Sequence, residues 1–298
     1  MAKQRRSLSG KVVAITGGAR GIGRAMAAAL VRKGCRVALG DVDVALAQRT
    51  AEELGGGTIA VGLDVTDRGS FAAFLDEAER QLGPLDVLIN NAGIMPVTPL
   101  TEESDDSIRR QLDINVYGVI VGTQLALERM RPRGGGHVVN VASSAGKAGV
   151  PGIATYSATK HAVVGFTESA RAEYGSEGVD FSYVMPITVN TQLIEGLKDH
   201  PGVKRVEPED VANEVVNALE TGKVDVYVPR QLRASVMIGG LLPRRVREAM
   251  ARVMGVTKVM TEVSPEARRA YEERAAHSEP GMEGVDESDE ARSHREAA

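Results

Sequence analysis

The 298-residue chain has no tryptophan, and aromatic residues make up only 3% of it. Proteins that bind single-stranded nucleic acid commonly stack bases on aromatic rings, so this composition does not favour that function. The formal net charge of −4 also disfavours binding to polyanions. We therefore expect no nucleic-acid partner.

Cysteine is almost absent, since Cys35 is the single one in the sequence. One cysteine excludes an internal disulfide and suits a reducing compartment. No apolar stretch of signal-peptide length precedes the first apolar run, and none reaches the length of a spanning helix. The histidines have no cysteine or carboxylate partners at ligand spacing, so no metal site is expected. These observations predict a cytoplasmic protein.

Short apolar runs alternate with segments of helical spacing over most of the chain. The predicted strands are Val12–Thr16, Arg36–Gly40, Thr58–Gly62, Asp86–Asn90, His137–Val141, Asp180–Met185 and Val224–Val228. The predicted helices are 21–33, 44–54, 68–81, 104–130, 156–175 and 208–220. Such alternation requires right-handed crossovers and a parallel sheet covered on both faces. The sequence therefore predicts an α/β fold, a single doubly wound parallel seven-stranded sheet (Rossmann fold) with a helical C-terminal extension.

The composition changes after residue 229. Residues 1–229 are predicted to form the sheet domain, 230–275 a helical, basic and apolar extension, and 276–298 a disordered acidic tail. Two interpretations of 230–258 stay open. Apolar burial and arginine attraction to lipid headgroups would dock it on an anionic membrane. Alternatively, it forms a helical pair packed on the domain or on a second copy.

Residues 16–23 read TGGARGIG and lie between an apolar run and a helical segment. In a doubly wound fold, this turn brings a dinucleotide pyrophosphate against backbone N–H groups at a helix N-terminus. Gly17, Gly21 and Gly23 would allow that close approach, with Ile22 as an apolar spacer facing the core. The alternative is a glycine-rich turn that binds nothing.

Asp41 closes the second predicted strand, near the roughly 20-residue offset at which an acid meets the adenosine ribose. A carboxylate there accepts hydrogen bonds from both ribose hydroxyls and repels a 2′-phosphate, which favours NAD over NADP. Arg20 argues the other way, because an arginine pairs readily with phosphate. A solvated turn acid is the alternative interpretation of Asp41.

Tyr156 and Lys160 lie four residues apart and therefore on one face of a predicted helix. A tyrosine hydroxyl titrates near ~10, so it needs a nearby cation to act at neutral pH. An amphipathic helix with a solvated lysine is the alternative. The position after the fifth strand, at the ligand-binding edge of the sheet, favours a reactive pair. Ser143 ends that strand, where its hydroxyl would bind a substrate oxygen or simply form a turn.

These features together resemble one known family. TGGARGIG, NNAG at 90–93, Asn115, Ser143 and YSATK at 156–160 occur in the order and spacing of the short-chain dehydrogenase/reductase family, from about residue 10 to 228. The resemblance implies that Tyr156 is the general acid–base and that Lys160 lowers its pKa and holds the nicotinamide ribose. It also implies that Ser143 orients the substrate oxygen and that Asn115 helps to hold a water chain reaching Lys160.

The resemblance implies further cofactor contacts. Asp64 and Val65 would contact the adenine, and Asn90 would brace the sheet from within. Ile187 stands where the family usually has glycine. The other residues that the resemblance assigns to the cofactor site are Asn91, Ala92, Gly93, Pro186, Val189 and Thr191.

The sequence thus predicts an NAD(P)-dependent oxidoreductase that interconverts a hydrophobic secondary alcohol and its ketone, with NAD as cofactor and NADP less favoured. Leu193, Ile194 and Leu197 suggest an apolar lid, although an ordinary surface helix fits them equally. The alternatives are a non-catalytic dinucleotide-sensing scaffold that signals through the C-terminal extension, and a membrane-peripheral lipid or steroid reductase. The predicted partners are a small hydrophobic substrate and a second copy, paired through helices 105–130 and 156–175; a tetramer is the alternative.

Overall fold

The computed structural model describes residues 5–197, 205–243, 245–246, 249 and 264–276. The tail predicted to be disordered lies outside the described residues except for Ala276. Residues 250–258 of the basic, apolar segment also lie outside them. Within the described ranges, no helix is both long and apolar enough to cross a bilayer.

Seven parallel strands form the predicted sheet, in the order β3-β2-β1-β4-β5-β6-β7. The strands are β1 Val12–Thr16, β2 Arg36–Asp41, β3 Ile59–Gly62, β4 Val87–Asn90, β5 Gly136–Val141, β6 Val179–Pro186 and β7 Asp225–Val228. The direction of strand order reverses between β1 and β4. A doubly wound sheet binds ligands at such a switch point.

Helices cover the sheet and continue into the C-terminal extension, as predicted. They are α1 Gly21–Arg32, α2 Val44–Leu54, α3 Arg68–Leu82, α4 Asp105–Leu112, α5 Gly118–Met130, α6 Ala154–Tyr174, α7 Pro208–Thr221, α8 Leu232–Leu241 and α9 Pro265–Ala276. The segment predicted as one helix, 104–130, is helical from Asp105 to Met130, with a π-helical turn at Asp113–Tyr117 between α4 and α5.

Alternate residues of β1 supply two separate hydrophobic cores. Val13 and Ile15 pack with α1 and α7 on one face of the sheet. Val12 and Ala14 pack with α3 and α5 on the other face. This alternation follows from the two-residue period of a strand. All of β1 is buried because both faces are covered, which explains its unbroken apolar sequence.

Three buried polar side chains, Asn90, Asn140 and Thr167, form a row of hydrogen bonds beside the core that Val12 and Ala14 share with α3 and α5. Asn90 Nδ2 donates to Asn140 Oδ1 at 2.9 Å, and Asn140 Nδ2 donates to Thr167 Oγ1 at 2.9 Å. The row therefore joins β4, β5 and α6. Asn90 lies inside the sheet, as the resemblance implied.

Replacing Thr167 with valine tests this row of hydrogen bonds. The hydroxyl is lost without a change in side-chain shape, so Asn140 Nδ2 keeps no acceptor in a dry core. We expect Thr167→Val to lower the free energy of unfolding by about 1–3 kcal/mol, measured by urea denaturation.

Thr221→Val is the matched control, because the Thr221 hydroxyl also donates to the carbonyl four residues earlier but is only partly buried. It should change stability by no more than about 0.5 kcal/mol. Equal decreases in the free energy of unfolding of Thr167→Val and Thr221→Val would contradict a specific contribution of the buried hydrogen bonds among Asn90, Asn140 and Thr167.

Candidate active site

The candidate site lies at the carboxyl edge of the sheet, where parallel strands end together. The glycine loop follows β1, and Asp41 is the last residue of β2. The segment Asn91–Gly93 follows β4, Ser143 lies two residues beyond β5, and Pro186 ends β6. The topology therefore brings the predicted site residues, which are spread over more than 150 positions of sequence, to one edge.

The glycine loop has a backbone that other residues would not adopt easily. Gly17 and Gly21 have φ values of 63° and 53°, in the left-handed region. A Cβ at Gly23 would lie 2.1 Å from the Gly17 carbonyl oxygen, so no side chain fits there. Helix α1 begins at Gly21 with no side-chain cap. Its first N–H groups and its dipole therefore suit a phosphate group.

The loop after β4 holds the glycine loop in place. Asn91 Nδ2 donates to the carbonyls of Thr16 and Gly17, each at 3.0 Å. The backbone N–H groups of Asn91 and Ala92 both donate to Thr16 Oγ1, at 2.9 and 3.0 Å. Sequence reasoning missed the role of Thr16, although it is the first residue of TGGARGIG. Asn91 and Ala92 thus shape the cleft as well as bordering it.

Asp41 lies beside the glycine loop and is half-buried. Its Oδ2 accepts from Ala19 N at 3.0 Å, and its Oδ1 accepts from Asp43 N at 3.2 Å. Burial raises the pKa of Asp41, although the two backbone hydrogen bonds and the nearby Arg20 oppose the rise. The carboxylate is therefore fixed in orientation at the end of β2.

Arg20 precedes Gly21 in the loop, but its guanidinium is already engaged. It forms an ion pair with Asp43, and its Nη1 donates to Gln192 Oε1 at 3.4 Å. Sequence reasoning missed Asp43, which also caps α2 by accepting from Leu46 N. In the free protein, Arg20 is thus paired with a carboxylate.

Asp64 and Val65 lie in the turn after β3. Asp64 Oδ1 accepts from the backbone and the hydroxyl of Thr66, at 2.8 and 2.7 Å. Val65 is buried against α5, where a Cβ at Gly118 would contact it at 3.0 Å. Their role as adenine contacts stays a prediction.

The segment after β6 returns to the glycine loop. A Cβ at Gly21 would lie 3.4 Å from Thr191 Cγ2, so Thr191 adjoins the start of α1. Val189 is buried and pairs with Val206 in a parallel bridge. Ile187 donates its N–H to Val228 O at 2.9 Å, and no described residue other than glycine has a positive φ. Isoleucine therefore fits at this position without backbone strain.

Tyr156 and Lys160 are both buried near the start of α6. Lys160 Nζ donates to the carbonyl of Val141, the last residue of β5, at 2.9 Å. It lies 5.5 Å from the centroid of the Tyr156 ring. A Cβ at Gly93 would approach Nζ to 3.5 Å. The structure thus brings together the reactive pair that the sequence predicted, with Gly93 beside it.

Burial dominates the proton affinities of this pair. It raises the pKa of Tyr156 to about 12, and a side-chain hydrogen bond with Ser143 opposes the rise. It lowers the pKa of Lys160 to about 8. The net shift of the pKa of Tyr156 is therefore upward, and the lowering by Lys160 that the resemblance implied stays a prediction. Desolvation of the phenolate outweighs any attraction to Lys160, whose ammonium is directed at Val141 O.

Ser143 and Asn115 hold the reactive pair from two sides. Ser143 Oγ accepts from Ala145 N at 3.1 Å, which fixes the hydroxyl at the end of β5. Asn115 is fully buried in the π-helical turn and exchanges 2.9 Å hydrogen bonds with both backbone groups of Ile94. Its Nδ2 also donates to Thr159 Oγ1 at 3.2 Å. The amide thus joins the loop after β4 to α6, and its role in a water chain stays a prediction.

The described part of the lid packs around Tyr156. Residues 192–194 form a short 3-10 turn, with Leu193 half-buried, and Ile194 and Leu197 are buried. One apolar cluster contains Met95, Ala145, Ile153, Tyr156, Ile194 and Leu197, with Val97, Val150 and Leu193 packed against it. The apolar side chains of the lid therefore enclose the phenol instead of covering an unrelated surface. Residues 198–204 lie outside the described residues.

Comparisons with known proteins agree with this geometry. The sequence profile of the short chain dehydrogenase family matches residues 11–202. Sorbitol dehydrogenase from Cereibacter sphaeroides is 38% identical over 191 residues, covering 64% of this chain and 75% of that protein.

Two further comparisons extend the match. The 3-alpha-(or 20-beta)-hydroxysteroid dehydrogenase of Mycobacterium bovis is 34% identical over 213 residues, which cover 70% of this chain and 82% of that protein. A short-chain dehydrogenase/reductase from Burkholderia phymatum, solved in complex with NAD, superposes with a TM-score of 0.72 at 27% identity. That superposition covers 78% of this chain and 93% of the other.

The buried ammonium of Lys160 predicts a pH dependence of stability. Its pKa falls from 10.5 to about 8 on folding, so the unfolded chain binds more protons between these pH values. The contribution of Lys160 to the free energy of unfolding should therefore rise from pH 8 to 10, by up to ~1.4 kcal/mol per pH unit. We expect Lys160→Met to flatten this rise relative to the wild type, measured by urea denaturation at each pH.

Lys147→Met is the control, since Lys147 is exposed and paired with Glu168. Lys147→Met should keep the wild-type dependence of the free energy of unfolding on pH. An unchanged slope in Lys160→Met would contradict the burial of a charged Lys160.

Proposed function

Because the chain belongs to the short-chain dehydrogenase family, we propose that it interconverts hydrophobic secondary alcohols and ketones with NAD as cofactor. The family is one of alcohol oxidoreductases that bind NAD or NADP. The observation that carries the proposal is the burial of the Tyr156 phenol beside Lys160, enclosed by apolar side chains at the carboxyl edge, where the Ser143 hydroxyl lowers the pKa that burial raises. A hydroxyl pair in an apolar pocket suits a substrate with one polar oxygen.

The chain's own residues would control the proton and the orientation of the substrate. The bound dinucleotide supplies the group that accepts or gives hydride. Ser143 Oγ holds the substrate oxygen, and the Tyr156 oxygen takes the hydroxyl proton during oxidation. To accept that proton Tyr156 must first be a phenolate, and Lys160 stabilises this phenolate because an ammonium close to an anion offsets its burial. The cluster around Tyr156 excludes water from this exchange.

The apolar lining supports the substrate class. Met95, Ile153, Ile194 and Leu197 contribute only apolar side chains to the cluster around Tyr156. Burial of apolar area contributes about 25 cal/mol per Å², so a hydrophobic alcohol gains affinity there that a polyol does not. Between the two relatives above, the lining therefore favours a substrate closer in polarity to a hydroxysteroid than to sorbitol.

Tyr156→Phe tests the assigned acid–base. Removal of one hydroxyl leaves the ring and the glycine loop in place, so turnover should fall at least ~1,000-fold. NAD affinity, measured by fluorescence titration, should stay within a few-fold. Tyr174→Phe, at the far end of the same helix, is the matched control and should keep wild-type turnover. Comparable turnover of Tyr156→Phe and the wild type across an alcohol panel would reject the assignment.

NAD is the proposed cofactor because of the charges next to the glycine loop. Asp41 presents a fixed carboxylate at the end of β2. Arg20, the residue most suited to a 2′-phosphate, is paired with Asp43. A 2′-phosphate would therefore meet a carboxylate before it met a free guanidinium.

Asp41→Ala tests the cofactor preference. Loss of the carboxylate removes the repulsion of a 2′-phosphate and the hydrogen bonds to the ribose, so the affinity ratio of NAD to NADP should fall about tenfold or more. The ratio is measured by direct titration with both dinucleotides. Asp76→Ala, an exposed acid on α3, is the control and should leave the ratio unchanged. A wild-type preference for NADP would refute the assignment of Asp41.

Two observations favour the other candidate functions, a dinucleotide-sensing scaffold and a membrane-peripheral reductase. The C-terminal helix α9 contacts the loop after β4 through Tyr271 and Met95, as a dinucleotide-sensing scaffold would require. On α8, Met237, Ile238 and Leu241 are exposed, and Leu241 is 87% exposed, as membrane docking would require. The other side of α8 packs on the domain through Leu232 and Val236. Loss of turnover in Tyr156→Phe separates the enzyme from the sensor, because a sensor needs no acid–base.

We also propose a homodimer in the cytoplasm, with a tetramer and peripheral membrane contact as alternatives. Helices α5 and α6 would pair across a two-fold axis. The exposed Leu112 and Tyr117, where α4 meets α5, support this assignment because a second copy would cover them. The single cysteine supports the reducing compartment.

A further inference from the structure

Helix α9 lies beyond the stretch that matches the family profile, yet it packs on the candidate site. The Tyr271 hydroxyl accepts from Met95 N at 2.7 Å, and Glu272 Oε1 accepts from Val97 N at 3.4 Å. Tyr271 itself is buried. The helix is thus attached to the loop that follows β4, next to the predicted cofactor cleft.

Arg268 on α9 joins that loop to the lid. Its side chain is 2% exposed, and its guanidinium donates to three backbone carbonyls: Met95 O at 2.6 Å, Leu193 O at 3.0 Å and Glu195 O at 3.2 Å. Its Nε pairs with Glu272 at 2.6 Å. A buried charge needs such complete pairing. The planar fork of arginine reaches both segments at once, which a lysine cannot do.

The lid turn is shaped for this contact. Gly196 has a φ of 76°, and a Cβ there would lie 3.0 Å from Ser264 O and 3.2 Å from Arg268 Cγ. Ser264 N donates to Gly196 O at 3.0 Å, immediately before α9 begins. Glycine is therefore required both by its conformation and by the close approach of α9.

The segments that Arg268 holds are those that enclose the phenol. Met95, Ile194 and Leu197 belong to the apolar cluster around Tyr156. Burial raises the pKa of Tyr271, and Tyr156 adds a smaller electrostatic contribution to that rise, so the two phenols lie within electrostatic range of each other. Displacement of α9 would therefore move the lining of the substrate pocket, whereas the glycine loop is held by hydrogen bonds from Asn91 and Ala92.

We propose that α9 is the outer wall of the substrate site and that Arg268 is a positioning residue that holds the lid, residues 193–197, over Tyr156. The proposal rests on the function proposed above. Arg268 touches neither substrate nor cofactor and acts through the backbone of the lid. Its loss should weaken the binding of the alcohol and leave the binding of the dinucleotide unchanged.

The first test compares Arg268→Gln with Arg269→Gln, which removes an exposed arginine from the same helix. For an alcohol that the wild type oxidises, we expect Arg268→Gln to raise KM at least about tenfold while the Kd for NAD changes less than about twofold. Arg268→Lys, which keeps the charge, should give an intermediate KM. Equal changes in KM for the alcohol and Kd for NAD would overturn the proposal, as would wild-type KM in Arg268→Gln.

The second test needs no substrate and separates this proposal from the proposed function. Hydrogen exchange of the full-length protein should be faster in peptides covering 94–97 and 192–197 in Arg268→Gln, and unchanged in Arg269→Gln. Tyr271→Phe retains the ring but removes the acceptor of Met95 N, so it should speed exchange in the 94–97 peptide even if Arg268→Gln does not fold. Unchanged exchange in Tyr271→Phe and in any folded Arg268→Gln overturns the docking of α9, whatever the activity. Changed exchange without turnover of any alcohol supports the docking and rejects the proposed function.

Discussion

The burial of Lys160 beside Tyr156 is the constraint on which the site depends. An ammonium removed from water needs a hydrogen-bond partner, and Val141 O at the end of β5 supplies one at 2.9 Å. This requirement fixes the start of α6 against the carboxyl edge of the sheet. Asn115 then ties α6 to the loop after β4 through Ile94 and Thr159. The position of the phenol thus follows from contacts between three separate segments.

The two halves of the cleft are stabilised by different forces. The proposed cofactor half depends on backbone geometry, because Gly17 and Gly21 adopt left-handed conformations and Asn91 donates to the Gly17 carbonyl. The substrate half depends on apolar packing under a lid that a buried arginine, Arg268, connects to the loop after β4. In the proposed function, a change beside the lid would therefore alter substrate binding and preserve dinucleotide binding.

The sequence was sufficient for the sheet and insufficient for contacts between distant segments. Continuous apolar runs predicted all seven strands, since strands buried on both faces carry such runs. The π-helical turn within 104–130 was missed, and the hydrogen bond that Asn115 makes from this turn to Ile94 has no local signal in the sequence. The docking of Arg268 and the ion pair of Arg20 with Asp43 were missed for the same reason. The burial that raises the pKa of Tyr156 was not visible in the sequence.

The central claim is that Tyr156 is the acid–base of the proposed reaction and that positive charge beside it lowers the pKa that burial raises. Carbon-13 NMR of tyrosine labelled at Cζ measures it directly, with Tyr156→Phe assigning the signal. The account predicts that the pKa of Tyr156 is about 12 in the free protein and falls by at least ~2 units when oxidised NAD, whose nicotinamide ring is cationic, saturates the site. A pKa that does not change on saturation would contradict the account.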